Sequence, residues 1–350
     1  MVSVKDVARH AHVSTATVSR VLNNSGYVSP ALRERVHDAV RELGYEANPF
    51  ARGLKIARSH TIGLIISTIE NPFFASVVRG VESVVYPAGY SLVLCNTDSD
   101  PGRERSYLHL LRQKRVDGLI ISTSGGADDD IAALVKRGVP VVLLNRRLRA
   151  DLPQVDGVVS DSREGARQAV AHLISLGHRR VAIVAGPSDH LQGSERLAGY
   201  QQALSEAGLP VDEAIIRSVA FTADAAYQAT CDLLAKKAAF TALFVSNNLQ
   251  ALGAMRALRE HGVKVPDEVA FVAFDEVDWA PYIDPPLTVV AQQAHQIGVT
   301  AARRLLGRLS GKVRGAAKEL VLPTKLIVRA SSGVSRGPSS PQGLGSAGGP

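Results

Sequence analysis

The 350 residues predict a small all-α head of helix-turn-helix layout, joined to a two-lobed α/β core built on parallel sheets. Three observations carry this. Residues 4–43 hold three short amphipathic stretches with helix-cap residues between them. From Thr61 onward short apolar runs alternate with amphipathic helical stretches, the pattern of parallel sheets covered on both faces. That alternation runs through one series and then repeats after about residue 160, which implies two lobes with a ligand cleft at the carboxyl ends of their strands.

In the head, Ser3 is placed to cap the first helix, with Asp6 three residues on as in a capping box. Val4, Val7, Ala8 and Ala11 form its apolar stripe. His12 and Val13 make the turn. Ser14 caps a second helix whose Val18, Val21 and Leu22 face the first. Thr15, Ala16, Thr17, Ser19 and Arg20 are left outward, a small polar face ending in a cation that can lie close to base edges. Ser29 and Pro30 open a third helix with the stripe Leu32, Val36, Ala39, Val40 and Leu43, closed by Gly44.

Charge separates a nucleic-acid reader from a merely solvated three-helix unit. Residues 1–60 hold nine Lys/Arg against five Asp/Glu, a net of +4 out of +7 for the whole chain. The positive excess lies where phosphate contacts require it. Beyond Gly44, Asn48 and Pro49 signal a helix of about two turns that is unstable alone, because nucleating so short a segment is costly and Gly53 weakens it further. Such a segment is suited to folding on contact with a partner.

In the core, Ile62–Ser67, Tyr90–Cys95, Gly118–Ser122 and Val139–Leu144 read as buried strands, separated by helices near 73–87, 103–114 and 129–137. The second series is Val181–Ala185, Ile215–Ser218, Ala242–Val245 and Val269–Ala273, with helices near 162–176, 193–207, 223–236 and 248–261. Expected boundaries are a head at 1–47, a hinge helix and linker at 48–60, and a core at 61–330. Within the core the lobes take about 61–160 with 292–318, and 161–291 with 319–330. The run 287–291 is open to a second reading, in which it returns to the first lobe with helix 293–309. Residues 331–350 contain six Gly, six Ser and three Pro and are expected to be disordered.

Composition narrows the function. The two cysteines, Cys95 and Cys231, match no metal or redox spacing, and no metal or cofactor is expected. No phosphate-binding glycine loop, no metalloprotease helix motif and no G-x-S-x-G around Gly186-Pro187-Ser188 is present, so an enzyme is not expected. His172 and His178 flank a helix stop rather than forming a metal pair. The amino terminus lacks an apolar leader and no run could span a membrane, so the expected location is cytoplasmic. A free-standing periplasmic binding protein has no use for a basic head, and an architectural DNA-binding protein has none for two lobes and a cleft.

The chain resembles the lactose-repressor / galactose-repressor family of bacterial transcriptional regulators, with spacing closest to its purine-repressor branch. The resemblance rests on Lys5-Asp6-Val7-Ala8, Val13-Ser14, Thr17-Val18-Ser19-Arg20-Val21-Leu22-Asn23, Leu43-Gly44-Tyr45 and Asn48-Pro49 with Ala51-Arg52 and Leu54. It extends to about residue 330, where the core is similar to a periplasmic sugar-binding protein. It implies a homodimeric, allosteric repressor that binds a pseudo-palindromic operator in double-stranded DNA and is released by a small-molecule effector. The alternative is a corepressor-dependent repressor of a biosynthetic pathway. By resemblance the DNA-binding residues are Thr15, Ala16, Thr17, Arg20 and Asn23, with Leu54 as an apolar wedge in the minor groove and Lys55 beside it. The effector-binding residues implied are Phe73, Phe74, Arg146, Asp161, Arg196, Phe221, Asn248 and Asp275. With one leucine after residue 330, Leu344, no leucine heptad can form, and a dimer rather than a tetramer is expected.

There are departures. Sugar-responsive members usually carry Asp where this chain has Asn145 and Asn248, while Arg146 and Arg196 stay and Arg147 and His190 add positive character. This balance suggests an anionic effector, such as a sugar acid or another anionic sugar derivative.

Overall fold

The structure is a computed structural model that describes residues 2–22, 24–45, 59–122, 126–235 and 240–333. Two compact units divide the chain, Met1–Ser59 and His60–Pro350.

The first unit holds α1 (Val4–His10), α2 (Thr15–Leu22) and α3 (Pro30–Glu42) around Val7, Ala8, Ala11, Val18, Val21, Val36 and Ala39. Ser3 and Asp6 form the reciprocal capping box. His12, at φ 49°, makes the left-handed turn that reverses the chain, a conformation His adopts more readily than bulky residues. Ser14 Oγ accepts a hydrogen bond from the Thr17 amide at 3.1 Å, capping α2. Ser29 does not cap α3 with its side chain; Pro30 sets the first turn there instead. Arg35 donates to the Ala11 carbonyl at 2.6 Å and ties α3 to the end of α1.

In the second unit, the first sheet contains β1 (Thr61–Ile66), β2 (Ser91–Asn96), β3 (Gly118–Ser122), β4 (Val141–Leu144), β5 (Asp156–Ser160) and β11 (Glu319–Leu322), in the order β11-β5-β4-β3-β1-β2. All its pairings are parallel. The second sheet contains β6 (Val181–Ala185), β7 (Ile216–Ser218), β8 (Ala242–Val245), β9 (Ala270–Phe274), β10 (Thr288–Ala291) and β12 (Lys325–Ile327), in the order β12-β10-β9-β8-β6-β7. It is parallel except at β12, which runs antiparallel to β10.

Helices α4 (Pro72–Val85), α5 (Pro101–Gln113), α6 (Asp128–Lys136) and α11 (Ala294–Leu309) cover the first sheet. Helices α7 (Ser162–Ser175), α8 (Leu191–Glu206), α9 (Ala223–Ala235) and α10 (Asn248–Glu260) cover the second. Backbones meet closely where α4 crosses α11. A Cβ on Gly80 would sit 2.1 Å from the His295 carbonyl oxygen, and one on Gly298 would sit 2.2 Å from that of Val77.

Three expectations change, and a run with two readings is placed. Strand β5 has no counterpart among the expected strands: it opens on Asp156, yet it is fully buried because Arg304 and Arg308 neutralise that carboxylate. Residues 319–322 belong to the first lobe, because β11 satisfies the open edge of β5, from Glu319 opposite Gly157 to Leu322 opposite Ser160. The chain crosses only afterwards, at Pro323 and Thr324. The run 288–291 lies in the second sheet, which settles its two readings. The tail expected to be disordered from 331 is ordered through Gly333: Ser331 Oγ donates to the Phe271 carbonyl at 2.7 Å, and Ser332 is buried against Thr288.

The chain thus passes between lobes near residues 161, 292–293 and 323–324. These passages are bonded to each other: Thr324 Oγ1 donates to the Asp161 carbonyl at 3.2 Å, and Gln293 Nε2 to the Pro323 carbonyl at 3.0 Å.

Candidate functional site

Two candidate sites arise, one on each unit. On the head, Thr15, Ala16 and Arg20 lie exposed along α2, as the helical period demands once Val18 and Val21 are buried. Thr17 is half-buried and its hydroxyl lies 2.9 Å from Ser14 Oγ, so it serves the cap as much as the outer face. Asn23, Leu54 and Lys55 lie outside the described residues. Sequence reasoning passed over Tyr27, in the loop before α3, whose ring is 90% exposed. An aromatic residue inside a Ser-Gly loop, with no apolar partner at helical spacing, was the available signal.

Arg20→Ala is expected to relax base choice at one position of each half-site, by about 1–3 kcal/mol for a bidentate base contact. Competition binding with operator variants at fixed salt checks this. An unchanged ratio of specific to non-specific affinity would remove Arg20 from base reading.

On the core, a cavity of about 690 Å³ opens between the lobes. It lies at the carboxyl ends of the strands, where parallel sheets place ligands. Ser67 and Thr68 follow β1, Ser122 ends β3, Asn145–Arg149 follow β4, Asp189–Gln192 follow β6, Asn247 follows β8, Asp275 follows β9 and Gln292 follows β10. Phe73 and Phe74 enter from the first turn of α4, with rings 5.2 Å apart and edge to face. Phe221 enters from the other lobe, its ring 5.8 Å from that of His190. Its place depends on Gly186, where a Cβ would come within 2.1 Å of the ring. Gly186→Ala is therefore expected to displace Phe221 and weaken effector binding at least tenfold with the fold retained, measured by calorimetry alongside circular dichroism.

Arg196, on α8, is 2% exposed. It lies with its guanidinium carbon 3.7 Å from the Phe274 ring centre and with Asp275 Oδ1 3.9 Å from Nη2, and it also bonds the Ser246 carbonyl. Burial pulls its pKa down to about 10 against the pull of Asp275. Arg146 is 6% exposed and held by Glu104 at 2.8 Å and by Asp128. Arg147 pairs with Glu319 at 2.6 Å, and Arg149 with Asp129 at 2.8 Å. The His190 pKa is lowered by burial, with Asp189 opposing and Arg146 assisting.

Two residues implied by resemblance do not line this cavity. Asp161 sits in the first passage between lobes, and its Oδ1 accepts from the Glu164 amide at 3.1 Å as the N-cap of α7. That capping bond engages one oxygen of its carboxylate. Asn248 is buried and donates Nδ2 to Asn71 Oδ1 at 2.9 Å, while its neighbour Asn247 faces the cavity and caps α10. The structure brings together the other six: Phe73, Phe74, Arg146, Arg196, Phe221 and Asp275.

Asn145 lines the cavity with both ends of its amide engaged. Oδ1 accepts from the Ser160 amide at 2.8 Å, and Nδ2 donates to Gln292 Oε1 at 3.2 Å. Gln292 Nε2 in turn donates to Asp275 at 2.5 Å. Sequence reasoning missed Gln292, Asp128 and Asp129. The triplet Asp128-Asp129-Asp130 reads locally as a helix start and shows its cavity role only once β3 and β4 are aligned.

Among the described residues the lining carries four arginines (146, 147, 149 and 196) and four aspartates (128, 129, 189 and 275), and each of these arginines faces a carboxylate. The positive excess expected from the two Asn positions is thereby cancelled. Aromatic faces beside fixed Asp, Asn, Gln and Arg groups suit a polyhydroxylated ring, stacking on its C–H face and exchanging hydrogen bonds with its hydroxyls.

Residues 3–48 match the profile of bacterial regulatory proteins of the lacI family, and residues 59–328 match that of periplasmic binding proteins and the sugar-binding domain of the LacI family. The HTH-type transcriptional repressor PurR of Photobacterium profundum is 37% identical over 314 residues, covering 89% of this chain and 93% of its own. Among solved structures, a transcriptional regulator CelR–cellobiose complex is 36% identical at a TM-score of 0.71, covering 95% of this chain and all of that one. A Lac repressor dimer bound to operator and the anti-inducer ONPF is 31% identical at a TM-score of 0.82, covering 95% of this chain and 99% of that one. The three-helix head, the two crossed lobes and these matches lead to one conclusion: the chain belongs to the lacI family and is a DNA-binding transcriptional repressor regulated by an effector.

Proposed function

We propose that this repressor acts in the cytoplasm as a homodimer, without catalytic activity, and controls carbohydrate catabolic genes by leaving a pseudo-palindromic operator when a neutral sugar fills the interlobe cavity. The charge balance of the lining carries the choice of ligand. A carboxylate or phosphate entering this cavity meets arginines already committed to Glu104, Asp128, Asp275, Glu319 and Asp129. A hydroxyl both donates and accepts, so it can use Asp, Asn and Arg groups together. One solved relative holds cellobiose. Two heads related by a two-fold axis would read two half-sites. A change in the angle between lobes would alter the spacing of the segments around Leu54.

The second reading is a corepressor that promotes DNA binding. The aromatic trio Phe73, Phe74 and Phe221 favours it, because a planar heterocycle also stacks on such faces. Calorimetry with cellobiose, ribose, gluconate and hypoxanthine, paired with operator binding in the presence of each, decides between them. Binding of a neutral sugar together with weaker operator affinity supports release. Binding of hypoxanthine with tighter operator affinity supports the corepressor. Binding of gluconate alone rejects the neutral ligand.

A further inference from the structure

We propose that Asn248 is a latch between the lobes, setting how firmly the cavity stays closed rather than contacting the effector. The idea rests on the cavity being the effector site, but its test needs no effector.

Asn71 ends the loop after β1 in the first lobe and caps α4, its Oδ1 accepting from the Phe73 amide at 2.9 Å. The same oxygen accepts from Asn248 Nδ2, also at 2.9 Å, across 177 residues of chain. Asn248 is the first residue of α10 in the second lobe. One buried oxygen therefore holds the first turns of two helices from opposite lobes. Those turns carry Phe73 and Phe74 on one side and follow the cavity residue Asn247 on the other.

The orientation of the bond is fixed. Because Asn71 Oδ1 must accept to cap α4, Asn248 must present its nitrogen. The Asn248 Oδ1 is buried with no hydrogen-bond partner among the described residues. An unsatisfied buried acceptor is unfavourable, so this amide is held for what its nitrogen does. Asn248 is 2% exposed, so the bond is shielded from competing water. An aspartate at 248 would set acceptor against acceptor and load the closed state with repulsion. An aspartate at 71 would keep both accepting roles.

Hydrogen exchange of the full-length chain, followed by mass spectrometry without ligand, tests this. Asn248→Asp should speed exchange at least tenfold in peptides covering both 71–76 and 247–252, while strand 181–185 keeps its protection. Asn71→Asp should exchange within twofold of the parent in both peptides. Asn71→Ala, made in the first lobe, should speed exchange of peptide 247–252 in the second, and this variant carries the test should Asn248→Asp fail to fold. Unchanged exchange in Asn248→Asp, equal opening by Asn71→Asp, or Asn71→Ala effects confined to the first lobe would each overturn the latch. Loss of protection in 181–185 alongside the two peptides would assign Asn248 to general stability and overturn it too.

Discussion

Replacing Arg196 by alanine is expected to abolish the effector response and to destabilise the core by about 3–5 kcal/mol, the usual effect of breaking a buried ion pair from one side. The residue has three separate contacts in the second lobe: the Ser246 carbonyl, Asp275 and the face of Phe274. Its removal leaves the carboxylate of Asp275, 5% exposed, facing a void beside the cavity. Arg196→Lys keeps a charge but not the planar group that stacks on Phe274. It should recover part of the stability and little of the effector affinity. Urea unfolding and calorimetry on both variants separate the two effects. Full effector affinity in Arg196→Ala would remove the residue from the site.

Asp156→Ala should cost a similar amount, in the first lobe and far from the cavity. The carboxylate is 3% exposed and receives Arg304 at 2.7 Å, Arg308 at 2.7 Å and the Lys318 amide at 2.8 Å. It fastens α11 and the approach to β11 onto β5, so its loss leaves two cations facing each other. Burial pushes this carboxyl up, but the bonds from Arg308, Arg304 and Lys318 outweigh it and hold the pKa at about 2. A carboxyl lowered from its ordinary 3.8 contributes stability above pH 4, about 2 kcal/mol, that is lost as pH falls toward 2. Acid unfolding of the parent and of Asp156→Asn measures this. The parent should lose stability more steeply between pH 4 and pH 2, and identical slopes would contradict the account.

Local pattern carried most of the architecture. Apolar runs such as Ile62–Ile66 and Val181–Ala185 have no competing reading. The caps Ser3 and Ser14 are one-turn signals. Departures came where a contact far along the chain decides the outcome. Asp156 gives no strand signal, because its charge is tolerated in a buried strand only once Arg304 and Arg308 are folded against it. Strand β11 looks like a neighbour of β12 in sequence, yet the open edge of β5 takes it. In the site, the residue types that line a cavity were legible, as with Phe73, Arg196 and Asp275. The pairing of those groups was not. The partners of Arg146 were out of view because Glu104 and Asp128 lie 42 and 18 residues away. Asp161 and Asn248 sit at motif positions, but capping and lobe contact engage their side chains before any ligand arrives.

Selection of the full-length chain against a pool of random DNA duplexes, at stated salt and followed by sequencing, tests the central claim most directly. The account predicts enrichment of an inverted repeat whose two half-sites share one sequence, with a single position in each half relaxed by Arg20→Ala. Recovery of unenriched duplexes, or of a site without inverted symmetry, would contradict it.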